Sequence, residues 1–287
     1  MPEPFLSNDL APLISFLKQE NEPGPKPFFS IGADGLKQAS ALLRLKPCAT
    51  MLRLLEFDIW PQRFIRNRGV LASEEQIKLL NSRAVIIGCG GLGGYVITLL
   101  ARIGLGALVL CDRDHFEESN LNRQLLCREN NIGRNKAEAA ADEVASIASH
   151  INVKVWPEEA NLSNLSSIIC ESDIVLDCLD SISARRQVEA AAHQAGVPFV
   201  HGSIAGEEGF ALITRPGENS LASLYGNQPA TEERNAEHLL GVPTITPAFL
   251  ACLQATLAIR ELLGRKPKLK SLYHIDLSVP LMEGLDI

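Results

Sequence analysis

The sequence predicts an α/β fold: a doubly wound, Rossmann-like, mostly parallel sheet with mixed strands near its carboxyl end and a short helical N-terminal extension. From Trp60 onward, apolar runs of strand length alternate with amphipathic or alanine-rich helical runs. This alternation is typical of a parallel sheet covered by helices on both faces. After Gly202 the pattern changes to GFALITRPGENS, where an apolar run ends in a Pro-Gly turn and favours an antiparallel strand.

The first 60 residues differ from the rest of the chain. The breaker-rich stretch NEPGPKPFFSIGADG precedes two segments of helical period, LKQASALLRL and ATMLRLLEF. We therefore predict a helical extension over residues 1–60 and one nucleotide-binding domain over residues 61–287.

Within that domain, a helix is predicted to begin near Ser73, and strands and helices then alternate. The predicted strands are RAVIIG, ALVLCD, NVKVWP, DIVLDCLD, VPFVHG and SLYHIDLS. The predicted helices are GGYVITLLARIG, NKAEAAADEVASIAS, LSNLSSII, ISARRQVEAAAHQAG and the long apolar PTITPAFLACLQATLAIRELLG.

Composition argues against several classes of protein. The net charge of −7 disfavours a nucleic-acid partner, because phosphate binding usually requires a basic surface. We expect no secretory signal and no membrane span, since no apolar run approaches the roughly 18 residues that a span needs. The seven cysteines include no C-x-x-C pair and lie mostly in apolar runs. We therefore expect buried, reduced thiols and a cytoplasmic location.

The stretch AVIIGCGGLGG is the first candidate site. Gly88-x-Gly90-x-x-Gly93 follows a predicted strand and opens a predicted helix, so its backbone N–H groups can hold phosphate oxygens. Asp112 ends the next strand, 19 residues after Gly93, where an acidic residue takes ribose hydroxyls. On these features alone, an NAD-dependent dehydrogenase is favoured.

A densely polar stretch after the second strand changes that interpretation. It reads CDRDHFEESNLNRQLLCRENNIGRNKAEA and includes Arg123 and Lys136. Hydride transfer needs an apolar slot for nicotinamide, whereas two fixed cations beside a triphosphate suit phosphoryl or nucleotidyl transfer. Either cation alone would be explained equally well as solvated surface charge.

Four motifs together identify a family. GCGGLGG, DRDHFEESNLNRQ, NIGRNKAEAA and VLDCLDS resemble, in order and spacing, the MoeB/ThiF/HesA family of adenylating enzymes, which are relatives of the ubiquitin-activating enzymes. The preceding RFIRNRG is similar to the N-terminal arginine motif of this family. The resemblance covers about four-fifths of the chain, from Trp60 onward, and its S-N-L-x-R-Q element is highly specific.

The resemblance implies which residues bind ATP and Mg²⁺. Asp112 would hold the ribose, Asn120 and Arg123 the phosphates, and Lys136 would neutralise charge around the α-phosphate. Asp180 would orient Mg²⁺, and the next residue is serine where the family usually has asparagine. The full predicted nucleotide site is Gly88, Gly90, Gly91, Gly93, Asp112, Asp114, Ser119, Asn120, Arg123, Gln124, Lys136, Asp180 and Ser181. The catalytic members are Arg123, Lys136 and Asp180, together with Arg66.

Arg66, with Arg63 as second candidate, matches the arginine that dimers of the family insert into the neighbouring subunit's site. The resemblance thus implies a homodimer, to which the apolar helix over residues 244–263 could supply interface. An arginine supplied in this way contributes on the order of 10³-fold to the rate in other enzymes.

The chain departs from its family at two places. Ser220 and Ser223 stand where a zinc-binding C-x-x-C pair is expected, and serine is not a plausible zinc ligand, so we predict no zinc. Ala236 replaces the cysteine that some members use to carry sulfur or form a thioester. Cys252 falls in an apolar helix where we expect burial, so a separate sulfur donor is predicted. His201 and Cys178 are interpreted as structural.

The predicted function is ATP-dependent adenylation of the C-terminal glycine of a small ubiquitin-like sulfur-carrier protein, with release of pyrophosphate. The pathway would be molybdopterin, thiamin or related sulfur transfer, and the sequence names neither carrier nor donor. One alternative is adenylation of a peptide C-terminus, as in the microcin-activating enzyme MccB. Another is an NAD(P)-binding oxidoreductase, which leaves Arg123, Lys136 and Asp180 without a role. A third is a nucleotide-binding scaffold that has lost activity.

Overall fold

The computed structural model describes residues 13, 16–20, 28–217, 221–226, 239–265 and 271–286. The chain forms two compact units, Met1–Asn81 and Ser82–Ile287. The division predicted from the sequence falls earlier, between residues 60 and 61.

In the residues that the structure describes, the N-terminal unit combines three short strands with three helices. The strands are β1 (Leu17–Glu20), β2 (Phe28–Ile31) and β3 (Ile59–Pro61), and the helices are α1 (Ala33–Leu43), α2 (Pro47–Leu55) and α3 (Ser73–Asn81), with a 3-10 turn at Gln62–Asn67. β2 lies between the other strands, antiparallel to β1 and parallel to β3.

The helices of this unit were predicted from the sequence, but its sheet was not. Strands of three or four residues are too short to show a period of two. α2 begins at Pro47, whose fixed φ and missing N–H suit the first turn of a helix. The core of this unit is built around Trp60 and Phe64, each 1% exposed.

The C-terminal unit contains the large sheet. Its strands are β4 (Arg83–Ile87), β5 (Ala107–Cys111), β6 (Asn152–Trp156), β7 (Ile174–Asp177), β8 (Phe199–Ala205), β9 (Glu208–Thr214), β10 (Ser271–Asp276) and β11 (Leu281–Asp286). Its helices are α4 (Gly91–Ile103), α5 (Lys136–Ile147), α6 (Leu165–Ile169), α7 (Ile182–Gln194), α8 (Ala222–Tyr225) and α9 (Ile245–Leu262), with 3-10 turns at Glu118–Asn120 and Glu129–Asn131.

The strand order confirms the predicted fold class. It runs β11-β10-β9-β8-β7-β4-β5-β6, parallel from β6 to β8 and antiparallel from β8 to β11. The chain proceeds from β4 to β5 and β6 on one side, then returns to place β7 and β8 on the other. β4 therefore marks a topological switch point, and ligands of such sheets bind beyond the carboxyl ends of the strands there.

Helices cover both faces of this sheet. On one face, apolar side chains of β4 such as Val85 and Ile87 form a core with Ile168 of α6 and Val188 of α7. On the other face, α4 and α9 pack against each other, and α9 also lies against β8 and β9. The near-continuous apolar strands therefore bury both of their faces, as the sequence pattern predicted.

The long apolar helix α9 is only half buried. It has 18 residues with a mean hydropathy of 1.2, so length and composition alone would let it cross a membrane, but a single such helix, half of it buried, is weak evidence for a span. Its exposed side carries Cys252 together with Ile245 and Phe249. The predicted burial of Cys252 is therefore wrong, because only one side of this helix packs on the sheet.

The predicted burial of the thiols is correct for only some of the other cysteines. All seven cysteines are free; Cys89, Cys111 and Cys127 are buried, whereas Cys170 is exposed like Cys252. Cys170 directly follows the short helix α6, where the chain turns at the surface.

Candidate active site

A cleft of about 880 Å³ opens at the carboxyl ends of β4, β5 and β7. This is the switch point of the sheet, and the volume suits a nucleotide-sized ligand. Of the nucleotide site predicted from the sequence, the following residues line the cleft: Gly88, Gly90, Gly91, Asp112, Asp114, Ser119, Asn120, Arg123, Gln124, Lys136, Asp180 and Ser181. The structure thus brings together residues that span almost a hundred positions of the chain, and their roles in binding remain predictions.

Two glycines of the loop after β4 are required by the fold itself. Gly88 has φ +93°, and a Cβ there would lie 2.5 Å from the carbonyl oxygen of Cys178. A Cβ on Gly93, which does not line the cleft, would lie 1.9 Å from the carbonyl oxygen of Gly88. Gly93 therefore permits close packing of α4 on the loop.

At position 91, the space around the backbone does not require glycine, in contrast to positions 88 and 93. A Cβ on Gly91 would meet its nearest protein atom, in Pro247, only at 3.7 Å, which is ordinary contact. Protein packing therefore tolerates a side chain at this position, and its absence keeps the cleft open at the start of α4. The N–H groups of that first turn have no side-chain cap at Gly90.

This contrast predicts opposite outcomes for two alanine variants. Gly91→Ala should fold and melt within a few degrees of wild type but bind ATP at least tenfold more weakly, because the methyl group occupies phosphate space. Gly93→Ala should lower the melting temperature strongly, because its methyl group overlaps backbone. Thermal unfolding and nucleotide titration check both, and normal ATP binding by Gly91→Ala would contradict phosphate contact at this residue.

Asp112 fastens the glycine loop to the end of β5. Its Oδ2 accepts a hydrogen bond from the N–H of Cys89 at 2.7 Å, and its Oδ1 accepts one from the N–H of Asp114 at 2.8 Å. Burial raises the pKa of its carboxyl group, and the two amide donors oppose that shift. The sequence indicated only a ribose ligand here; the structure adds a role in shaping the loop.

The cation Lys136 is placed by the residue before it. Asn135 caps α5: its Oδ1 accepts from the N–H groups of Ala137 and Glu138, while its Nδ2 donates to the carbonyl oxygens of Asp112 and Asp114. The side chain of Lys136 is nearly buried, and its Nζ lies 3.1 Å from Asp114 Oδ2. Sequence reasoning missed Asn135, although asparagine before a helical run is a helix-start signal.

In the segment SNLNRQ, Asn120 stabilises the local backbone and Arg123 lines the cleft. Asn120 is buried, and its Oδ1 accepts from the N–H of Glu117, so it closes the 3-10 turn Glu118–Asn120. Arg123 lines the cleft, with its Nη1 donating to the carbonyl of Ser119 and to Asn122 Oδ1.

Gln124 carries an unsatisfied atom in the cleft wall. Its Oε1 is buried and has no hydrogen-bond partner among the described residues. Buried polar atoms are nearly always paired with protein, water or ligand. We therefore expect a polar ligand in the cleft to supply the missing hydrogen bond to Gln124 Oε1.

Asp180 stands exposed in the turn between β7 and α7, at the edge of the cleft. The next residue, Ser181, caps α7 by accepting from the N–H of Ala184 at 3.4 Å. Mg²⁺ is usually held by one or two carboxylates together with substrate phosphates, and Asp180 at the edge of a nucleotide-sized cleft fits that donor set.

For zinc, the predicted absence stays a prediction. Ser223 lies on the short helix α8, whereas Ser220 and Ala236 fall outside the described residues. Within the described ranges, no cluster of three or more His, Cys, Asp or Glu side chains could hold a metal ion.

Of the two residues interpreted as structural, His201 is buried beneath the cleft, whereas Cys178 is partly buried and lines it. His201 is fully buried, its Nδ1 lies 2.7 Å from Asp177 Oδ2, and burial lowers its pKa. Burial also raises the pKa of the Cys178 and Cys89 thiols well above the usual value. Both thiols are therefore protonated at neutral pH and are poor nucleophiles.

The predicted arginine pair lies in the N-terminal unit. Arg63 and Arg66 are exposed on the 3-10 turn Gln62–Asn67, separated by one 3-10 repeat. The role of Arg66 in a neighbouring site stays a prediction.

Comparison with known proteins identifies the family of this chain. The sequence profile of the ThiF family matches residues 63–283. A SAMP-activating enzyme E1 of Haloferax volcanii is 34% identical over 190 residues, which are 66% of this chain and 70% of that protein. The molybdopterin-synthase adenylyltransferase of Escherichia coli is 34% identical over 196 residues, 66% of this chain and 76% of that protein. Other relatives are longer: the chain spans 47% of an Arabidopsis thaliana adenylyltransferase and sulfurtransferase, MOCS3.

Solved structures show the same fold. E. coli MccB crystallised with a succinimide is 25% identical, with a TM-score of 0.66 over 78% of this chain and 70% of MccB. The relatives named above are adenylyltransferases or activating enzymes, so the oxidoreductase alternative is not favoured. The chain therefore belongs to the ThiF family, whose enzymes catalyse adenylation.

Proposed function

We propose that this protein binds Mg²⁺–ATP in the cleft and adenylates the C-terminal glycine carboxylate of a small ubiquitin-like sulfur-carrier protein. The observation that carries the proposal is the convergence of an open glycine loop, Arg123 and Lys136 at the switch point of the sheet. The relatives' names add support, since they refer to a SAMP and to molybdopterin synthase.

The reaction places modest demands on the protein. A carboxylate is ionised at neutral pH, so the substrate itself is the nucleophile and needs no general base. Its oxygen attacks the α-phosphorus, the bond to the bridging oxygen of the β-phosphate breaks, and pyrophosphate leaves with the electron pair. The protein must align these atoms and stabilise the negative charge that gathers on the phosphates.

The residues of the cleft meet those demands. The uncapped first turn of α4 offers N–H groups to phosphate oxygens, and Arg123 and Lys136 add fixed positive charge. Mg²⁺, held by Asp180 when bound, would screen the phosphate charge. The lack of side chains along the glycine loop as a whole leaves room for a thin Gly-Gly tail to approach the α-phosphate.

Sulfur transfer itself belongs to another protein in this proposal. Two cysteines, Cys111 and Cys178, line the cleft, and burial raises the pKa of both thiols, so they are poor nucleophiles toward the adenylate. The exposed Cys170 and Cys252 do not line the cleft, and Ala236 stands where some family members carry a reactive cysteine. We therefore assign the next step to a separate sulfur donor. We also propose a cytoplasmic homodimer without zinc, with no nucleic-acid or membrane partner.

ATP–pyrophosphate exchange tests the proposal. Candidate carriers ending in Gly-Gly are supplied one at a time, with the same carrier lacking its last glycine as control. We expect exchange with one carrier that requires the intact tail and disappears in Arg123→Ala. Clear ATP binding without exchange for any carrier would contradict carrier adenylation, and a peptide panel would then test the alternative substrate.

A further inference from the structure

Four buried polar side chains converge beneath the turn that carries Asp180, and the mechanism above uses none of them. They are Asp177 of β7, Arg185 of α7, His201 of β8 and Gln254 of α9, each less than a tenth exposed. We call this group the β7 anchor. Because its members come from four elements, it ties the turn to both faces of the sheet.

The anchor holds the backbone of Leu179 from two sides. Asp177 Oδ1 accepts a hydrogen bond from the N–H of Leu179 at 2.9 Å. Arg185 donates to the carbonyl oxygen of the same residue through Nε, at 3.1 Å, and through Nη2. Both backbone polar groups of Leu179, the residue before Asp180, are therefore hydrogen-bonded. Arg185 thereby fixes the carbonyl group of the Leu179–Asp180 peptide, from which Asp180 leaves the turn.

Gln254 fixes the start of the same turn. Its Nε2 donates to the carbonyl oxygen of Asp177 at 2.7 Å and to that of Val200 at 3.1 Å. Arg185 also reaches past the turn, since its Nη1 donates to the hydroxyl group of Tyr225 at 3.1 Å. The guanidinium thus donates two hydrogen bonds to the carbonyl of Leu179 and one to the hydroxyl of Tyr225 from a single rigid plane, a fixed geometry that the compact ammonium group of a lysine does not provide.

The buried carboxylate of Asp177 requires a positive charge nearby, and Arg185 supplies it. The carboxylate of Asp177 is fully buried, and burial lowers the pKa of His201, so that imidazole is neutral at pH 7. The nearby guanidinium, with Nε 3.8 Å from Asp177 Oδ2, supplies the balancing positive charge. A buried ion pair often contributes little net stability compared with an apolar pair, so its value lies in fixing geometry.

We propose that Arg185 is a positioning residue that holds the Leu179–Asp180 turn in the orientation from which Asp180 takes up Mg²⁺ with ATP. This inference rests on the proposed function, which assigns Mg²⁺–ATP to the cleft. Side chains that orient a metal ligand typically contribute 10- to 100-fold to metal affinity.

The test measures nucleotide and Mg²⁺ binding without any carrier protein. Displacement of a fluorescent ATP analogue gives the affinity for ATP in EDTA, and titration of MgCl₂ at fixed ATP gives the Mg²⁺ midpoint. Arg185→Lys keeps the charge beside Asp177 but loses the planar donor set. The matched control is Arg186→Lys, the adjacent arginine, which donates to the carbonyl oxygens of Tyr225 and Gly226 instead. Asp180→Asn serves as the reference variant.

We expect Arg185→Lys to raise the Mg²⁺ midpoint about tenfold or more, toward that of Asp180→Asn, while ATP affinity in EDTA changes less than about twofold. Arg186→Lys should match wild type. A wild-type midpoint in Arg185→Lys, with Asp180→Asn shifted, would overturn the positioning role and leave the proposed function intact. An unshifted midpoint in Asp180→Asn would overturn both the inference and the assignment of Mg²⁺ to Asp180.

A second variant covers the case in which Arg185→Lys does not fold. Asp177→Asn combined with Arg185→Gln removes both buried charges together, so neither is left uncompensated. The same rise in the Mg²⁺ midpoint is expected from this pair. A wild-type midpoint would again overturn the positioning role.

Discussion

Lys136→Ala should reduce carrier-dependent ATP–pyrophosphate exchange by about 10³-fold and leave the protein folded. Removing one preorganised donor from developing charge commonly costs 10²- to 10³-fold, and Lys136 carries a full charge in a nearly buried position, so we expect the upper end. The variant leaves no buried carboxylate behind, because its partner Asp114 is more than half exposed. Exchange kinetics and thermal unfolding, measured on the same preparation, separate the two effects.

Arg134→Ala is the matched control for this variant. Arg134 is a cation two positions earlier and also pairs with an exposed carboxylate, that of Asp142 at 2.7 Å, but it does not line the cleft. It should exchange pyrophosphate at close to the wild-type rate. Equal losses in the two variants would show that Lys136 acts through general surface charge and has no specific role at the phosphates.

The sequence predicted the large sheet well because its elements carry local signals. The strands β4, β5 and β7 are continuous apolar runs, and each is followed by glycine, capping or acidic residues. Parallel strands bring their carboxyl ends to one edge, so residues that follow separate strands, such as Asp112 and Asp180, had to meet there. Twelve of the thirteen residues predicted for the nucleotide site line the cleft, and Gly93 does not; the rest of the lining, such as Arg113, His115 and Glu158, was not predicted.

What the sequence did not predict depends on contacts between distant residues. The sequence predicts only that Arg185 is a polar residue of a helix, which would usually be exposed. In the structure Arg185 is 4% exposed and donates a hydrogen bond to the carbonyl oxygen of Leu179. Its role follows from the closeness of β7, α7 and β8, which no local pattern reports. The exposure of Cys252 was missed for a related reason, because apolar composition does not say which side of a helix finds a partner.

Arg66→Ala should also lower exchange by about 10³-fold, if the arginine acts on the developing charge as trans-supplied arginines do in other enzymes. Arg66 is exposed on a 3-10 turn of the N-terminal unit, so its replacement should leave the melting temperature nearly unchanged. Arg63→Ala, three residues earlier on the same turn, is the control. A larger loss in that variant would reassign the role to the second candidate.

Mixing the two inactive subunits decides whether Arg66 acts across a dimer interface. In a heterodimer of Arg66→Ala and Lys136→Ala subunits, the site with intact Lys136 receives intact Arg66 from its neighbour, while the other site lacks both. Half of randomly paired dimers are heterodimers and half of their sites are complete, so co-expression should restore about a quarter of wild-type activity per site. If Arg66 served its own subunit, no combination would contain both groups in one site, and the mixture would stay as inactive as its components. Recovered activity would therefore establish the dimer and the shared site in one experiment, because monomers cannot complement each other in this way.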